Sequence, residues 1–264
     1  MNRPATNKVE SLASNRSEYL QALTTSPRSK RELVELLDCS RSTVDRVLRS
    51  LADAYLVEYN DGKWHATAVG ICAYRRHESY TGFIEDLADA SLILTELPPE
   101  NPVDDRFLTR STPHASAEAV PDAVLAPMFA SVREASTVRG LVPRALAGSA
   151  ADFYDFATSG DPSDLELIIA DTVFDQLYKI YPEDMNGALE DPNATFLRGE
   201  VSVPYGLWIS DTDELGIVVY SEKGLQGTIL NDTEAAVEWA TEQYDSIKQD
   251  AEEIFLRGGV QRIR

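Results

Sequence analysis

Residues 40–66 read SRSTVDRVLRSLADAYLVEYNDGKWHA, and the fold turns on them. Ser40 has the side chain to cap a helix that starts at Arg41. Val44, Val47, Leu48 and Leu51 recur at three- and four-residue steps, the period of one apolar helix face. Leu56-Val57-Glu58-Tyr59 and Trp64-His65-Ala66 are short β-prone runs on either side of Asn60-Asp61-Gly62-Lys63. An Asp-Gly pair between two such runs predicts a hairpin, because both central residues of its tight turn need positive φ.

The same period continues upstream. Val9, Leu12, Arg16, Tyr19, Leu20 and Leu23 predict one amphipathic helix from Lys8, broken by Pro27. Ser29-Lys30-Arg31-Glu32 has the form of a capping box, and opens a short second helix with Leu33, Leu36 and Leu37 inside. Three helices and a hairpin predict a winged helix-turn-helix over residues 1–66. Opposite the apolar stripe of the third helix stand Ser42, Asp45, Arg46 and Arg49, with Ser40, Arg41 and Thr43 at its start. A recognition helix turns such a face to the major groove. Arginine grips guanine O6 and N7 through two hydrogen bonds, and serine or threonine reaches bases or phosphates. Asp45 is placed to hold an arginine or to accept from cytosine. Ser29 and Lys30, with the amides that open the second helix, suit phosphates. Tyr59 and Lys63 on the hairpin suit the minor groove or the backbone.

Downstream, Thr67 caps a long connecting helix, predicted from about Ala68 to Leu97 and ended by Pro98 and Pro99, giving a connecting segment at 67–99. Residues 100–264 then alternate. A junction holds one strand near Phe107. Helices are expected at Pro127–Ala135, Ala150–Thr158 and Thr172–Leu189, the last breaking at Pro182. Strands are expected at Thr137–Val142, Leu165–Ala170, Ala194–Leu197, Tyr205–Ser210, Leu215–Tyr220 and Gly227–Leu230, and a closing helix at Thr233–Phe255. The expected class is α+β overall, with the winged helix and connecting helix ahead of an α/β domain with a mixed sheet.

Charge divides the same way. Of 264 residues, 44 are acidic and 24 basic, for a net charge of −20. Residues 1–66 carry 10 basic and 9 acidic residues; residues 67–264 carry 14 and 35. A uniformly negative protein is repelled by phosphate, but here the excess lies outside the predicted DNA-binding segment. Carboxylates in excess, with only six lysines beside eighteen arginines, suit a halophilic cytoplasm, where salt screens self-repulsion. No apolar run has the ~20 residues that span a bilayer, and the polar start lacks a secretory signal's apolar core, so no membrane contact is expected and the expected location is cytoplasmic. Cys39 and Cys72 make neither a disulfide framework nor a multi-cysteine zinc site.

The run SRSTVDRVLRSLADAYLVEY resembles the winged helix-turn-helix of archaeal transcriptional regulators. VPYGLWISDTDELGIVVYSEKGLQGTILNDTEAAVEWATEQYDSIKQDA, residues 203–251, resembles the carboxy-terminal domain of the archaeal methanogenesis (filament) regulator family, an architecture common in haloarchaea. The resemblance implies a DNA-binding transcription factor with a sensor domain distantly similar to half of a phospholipase D fold. Tyr55 departs from it, since such proteins commonly carry glycine between recognition helix and wing, where a tyrosine disfavours a left-handed backbone.

Phospholipase D chemistry needs a histidine nucleophile with a lysine two residues on. His65-Ala66-Thr67, His77-Glu78-Ser79 and His114-Ala115-Ser116 lack it. Nucleophile elbows, phosphate-binding glycine loops and paired-histidine metal motifs are missing as well, so no enzyme, cofactor or metal is expected. Arg139, Arg144, Tyr205 and Trp208 are candidate contacts for a small-molecule effector, the arginines for a phosphate or carboxylate and the aromatics for a sugar or base. The expected function is sequence-specific binding of double-stranded DNA in transcription regulation. The alternatives are a phosphodiesterase or nuclease tethered to DNA, and a structural chromatin protein. A homodimer is expected from 3-4 spaced stripes at Tyr80, Ile84, Leu87, Ser91 and Leu94 and at Val237, Ala240, Tyr244, Ile247, Ala251 and Ile254.

Overall fold

A computed structural model describes residues 5–117, 119–160, 163–222, 224–257 and 260–263. They fall into two compact units, one up to Ile84 and one from Glu85 onward. The division falls inside a single long helix. No helix among the described residues is long and apolar enough to cross a membrane.

The first unit orders as α1 (Thr6–Asn15), α2 (Ser17–Thr25), α3 (Lys30–Leu36), α4 (Arg41–Asp53), β1 (Val57–Asn60), β2 (Lys63–Ala66) and the start of α5 (Ala68–Leu94). The single helix expected from Lys8 is two, because Arg16 leaves helical geometry at φ −133° and ψ 28°. The capping box at α3 is complete. Ser29 Oγ accepts from the Glu32 amide, and the Ser29 amide donates to the Glu32 carboxylate at 2.6 Å. Leu20, Leu33, Val44, Leu48, Leu51 and Leu56 are wholly buried together; each leucine contributes about 2 kcal/mol of transfer free energy.

Asp61 and Gly62 take φ of 49° and 81° and turn β1 into β2, with Asn60 opposite Lys63. Tyr55 stands where the resemblance expected glycine, and it still adopts the left-handed backbone, at φ 62°. The Tyr55 amide donates to the Ala52 carbonyl and the Leu56 amide to the Leu51 carbonyl, both at 2.9 Å. This is the Schellman pattern, closed by buried Leu51 and Leu56. Its hydrogen bonds and apolar contact offset a left-handed cost of roughly 1–2 kcal/mol. Gly70 sits against the same corner: an added Cβ would lie 1.9 Å from the Leu56 carbonyl oxygen.

The second unit continues from α5 with α6 (Asp105–Leu108), β3 (Thr112–Ala115), a 3₁₀ turn (Pro121–Leu125), α7 (Ala126–Glu134), β4 (Thr137–Val142), α8 (Ala147–Thr158), β5 (Asp164–Ala170), α9 (Asp171–Ile180), α10 (Pro182–Glu190), β6 (Ala194–Gly199), β7 (Gly206–Ser210), β8 (Leu215–Ser221), β9 (Gly224–Asn231), α11 (Glu234–Lys248), β10 (Glu252–Arg257) and β11 (Val260–Ile263). Among the described residues the strands form one sheet of nine, ordered β11-β10-β6-β5-β4-β7-β8-β9-β3. β4, β5 and β6 run parallel through helical crossovers, and the other pairings are antiparallel. The mixed α+β class expected from the sequence is present.

Period-two alternation sends Leu165, Leu167 and Ile169 of β5, with Trp208 of β7, toward a core shared with Met128, Val132 and Phe174 of the helices. On the other sheet face α11 buries Ala236, Trp239, Ala240 and Tyr244. Four expectations need correcting. The segment at Phe107 is a helical turn, and the strand lies at Thr112–Ala115, paired with β9. The closing helix stops at Lys248; residues 249–251 turn, and Glu252–Ile254 pair with Arg198–Phe196. The 3-4 spacing from Val237 to Ile254 is therefore no seam, since Ala240 and Tyr244 are wholly buried and Ile254 belongs to a strand. The connecting helix ends at Leu94, three residues before the predicted Leu97.

Candidate nucleic-acid interface

α3 and α4 meet as the two helices of a helix-turn-helix, with the Ser40 side chain accepting from the Thr43 amide at 3.1 Å. The Ser40 hydroxyl also lies 2.9 Å from the hydroxyls of Ser42 and Thr43, so three small polar side chains gather at the start of α4. Val44, Val47, Leu48 and Leu51 turn inward, which leaves Arg41, Ser42, Arg46 and Arg49 exposed on the outer face. Among the described residues none of these three arginines has a carboxylate within ion-pair distance. Helix periodicity thus produces an unpaired cationic face from residues spaced three to five apart.

Asp45 lies at the edge of that face and pairs with Lys30 at 2.5 Å. The Lys30 ammonium holds the Asp45 carboxyl below the usual carboxylate range, and Arg49 and Arg41 add to the effect. The link ties the first turn of α3 to the middle of α4 and occupies the lysine that the sequence assigned to phosphate. The Ser29 hydroxyl is likewise engaged by its own helix, and its amide bond to Glu32 lowers that carboxyl's pKa.

On the hairpin, Tyr59 is 61% exposed and its ring lies 5.3 Å from that of Trp64, its cross-strand partner. Lys63 is exposed beside it. Sequence reading missed Arg28. Its backbone exchanges two hydrogen bonds with Trp64, at 2.8 and 3.0 Å, and its Nε donates to the Ala22 carbonyl. This bridge fastens the hairpin to the segment before α3. No local pattern announces it, because the partners stand 36 positions apart.

The four effector candidates do not converge. Arg144 and Trp208 line a cavity of about 780 Å³ in the second unit. Arg139 lies over the Tyr244 ring at 5.6 Å, and Tyr205 packs 6.3 Å from Trp239; α11 carries both partners, on the far side of the sheet. The cavity sits beneath α8 and α10, against Val142 at the end of β4, Ile169 near the end of β5 and Phe196 in the middle of β6. Trp208 is 1% exposed in its wall, and its indole N–H has no hydrogen-bond partner among the described residues. Beside Arg139, Glu166 accepts from the Tyr244 hydroxyl at 2.7 Å and from the Lys248 ammonium at 2.6 Å. Burial and then that carboxylate push the Tyr244 hydroxyl's pKa upward. Among the described residues no group of three or more His, Cys, Asp or Glu is arranged to hold a metal.

Two family models match this chain. Residues 121–250 match the middle domain of the methanogenesis regulatory protein FilR1. Residues 7–89 match the HVO_A0261 N-terminal domain. The matched spans lie in the cavity-bearing unit and over the helix-turn-helix, respectively, and the first belongs to a protein described as regulatory. None of the curated proteins matches. Among solved structures, TrmBL2, described as an archaeal chromatin protein with a novel mode of DNA binding, is 14% identical at a TM-score of 0.39, covering 92% of each chain. NucT from Helicobacter pylori is 10% identical at 0.42, over 54% of this chain and 97% of its own. Superpositions this loose do not define a shared fold.

Proposed function

We propose that the chain is a sequence-specific, double-stranded-DNA-binding transcription regulator. Its DNA-binding domain spans residues 1–66, its connecting helix 67–99, and its acidic domain 100–264 senses a small molecule without catalysing a reaction. The observation that carries the reading is the outer face of α4. Arg41, Ser42, Arg46 and Arg49 are presented without carboxylate partners, on a helix whose inner face is locked in a core and whose neighbour is an exposed hairpin. Arg46 and Arg49 reach base edges, Arg41 and Ser42 reach the groove wall, and Tyr59 and Lys63 reach the flanking backbone. Asp45 and Lys30 act as a pair that orients the helix, and Ser29, Ser40 and Thr43 shape the helix starts next to phosphate.

The acting species is a homodimer, and the stripe on α5 supports it. Tyr80, Ile84 and Leu87 are 61%, 42% and 36% exposed at a helical spacing, an apolar stripe left open on the helix. A dimer doubles a small contact area across two half-sites. The protein works in a salt-rich cytoplasm, where a charge of −20 is screened.

Selection from random duplexes by the full chain tests this. Enrichment of one motif, repeated as two half-sites, is expected; recovery of unbiased sequence contradicts specific recognition. Leu87→Glu should halve the mass seen by light scattering at high salt, with helix content unchanged.

A further inference from the structure

The cavity in the second unit has a wall and a rim of different chemistry. Six aromatic side chains line it: Phe153, Tyr154, Tyr181, Phe196, Trp208 and Tyr220. Leucine, isoleucine, valine and methionine supply half of the remainder, among them Met128, Leu167 and Ile169. Its volume, about 780 Å³, lies within the ~300–1,000 Å³ typical of small-molecule sites. It lies toward the carboxyl ends of β4 and β5 and reaches the middle of β6 at Phe196; β4 has parallel β5 on one side and antiparallel β7 on the other. Open α/β sheets bind ligands outside the carboxyl ends of their parallel strands.

Two of the hydroxyls in this wall are already engaged. Tyr154 donates to Asp191 at 2.6 Å and Tyr220 to the Arg144 carbonyl at 3.1 Å. The Ser149 and Tyr181 hydroxyls and the Trp208 indole N–H remain to meet the many hydroxyls of a sugar, and leaving most of those unpaired in an apolar wall is costly. The exposed lining residues carry the charge: Asp155 on α8, and Glu183 and Asp184 at the start of α10, against Arg144 alone. Among the described residues none of the three carboxylates is in an ion pair. Arg144 is drawn over the Tyr220 ring at 5.4 Å. An anion approaching this rim meets net negative charge on a domain that is itself strongly negative, whereas a cation is attracted and then finds aromatic faces.

We infer that the cavity binds an aromatic organic cation, and that this class of molecule is the effector of the regulator proposed above. The second clause rests on that proposal, and the first does not. Calorimetric titration of the full chain without DNA separates them. Tetraphenylphosphonium should bind at one site per chain, at least tenfold more tightly than decanoate or glucose 6-phosphate at the same ionic strength. The rim variant Asp155→Asn/Glu183→Gln/Asp184→Asn should weaken tetraphenylphosphonium about tenfold and leave 2-naphthol, an uncharged aromatic of similar appetite for the wall, unchanged. Gly148→Phe and Ala188→Phe, each placed in the lining, should abolish both. No binding, equal binding of decanoate, several cations per chain, or binding untouched by the folded wall variants would overturn the ligand assignment. If the cation binds but leaves operator affinity unaltered, the effector role falls and the binding site stands.

Discussion

The arginines of α4 in the first unit and those around α9 and α11 in the second are put to opposite uses. On α4, Arg41, Arg46 and Arg49 point outward, and no carboxylate within the described residues pairs with them. In the second unit Arg198 donates to Asp171 at 2.7 Å and to Asp175 at 3.2 Å, over the ring of Phe174. Arg106 is held between Asp104 and Glu242, and Arg139 lies over Tyr244. On α4 three arginines keep their charge unpaired in a chain that carries 44 acidic and 24 basic residues. The contrast teaches that net charge says little about what a protein binds. What matters is where cations are left without partners, since only those have interaction free energy to give a phosphate or a base.

Gly70→Ala should break the first side of this contrast most severely. The new methyl would overlap the Leu56 carbonyl, and overpacking against backbone of that kind costs about 3 kcal/mol. Thermal unfolding should show the first unit melting early and DNA binding lost, with the near-ultraviolet signal of the second unit retained. Arg198→Ala acts on the other side. Its ion pairs have half-exposed acidic partners, so the expected loss is about 1 kcal/mol in second-unit stability, read by denaturant midpoint, with DNA affinity unchanged. A fall in DNA affinity there would erase the distinction between the two groups of arginines.

Alkaline pH sharpens the contrast by a smaller amount. Burial raises the pKa of Tyr205 and Tyr220 to about 12, against an ordinary value of roughly 10. Their folded form keeps a proton that the unfolded chain releases first. Stability is therefore full below pH ~10 and declines as pH rises from there toward about 12. Tyr154 and Tyr244 shift upward for the same cause, and in the first unit Tyr19 and Tyr74 do so. With four such tyrosines against two, the second unit should lose the more stability between pH 9 and 12 when both transitions are followed.

The winged helix was legible because its determinants are local. Ser29 with Glu32, Ser40 with Thr43, and Asp61-Gly62 each act over four residues or fewer. Tyr55 looked wrong at its position because a local rule about φ was read without the hydrogen bonds and the Leu51–Leu56 contact that offset it. In the second unit the parallel strands could be read from their apolar runs. β10 could not, because Ile247, Ala251 and Ile254 keep a helical spacing through a turn, and only the distant partner Phe196 makes the end a strand. The same distance hid the cavity. Arg144 and Trp208 were picked out for their chemistry, but the aromatic wall around them comes from α8, β6 and β8, which no sequence window spans. Arg139 and Tyr205 were grouped with them on chemistry alone, and strand alternation sends those two to the opposite face.

The account's central claim is that the exposed arginines of α4 read sequence, and Arg46→Ala tests it most directly. Affinity of wild type and variant would be measured on the duplex enriched by selection and on a scrambled duplex, at one salt concentration. A base-reading arginine predicts a loss of about 1–3 kcal/mol on the selected duplex and nearly none on the scrambled one, with an unchanged melting curve. Equal losses on both duplexes, or none on either, would contradict it.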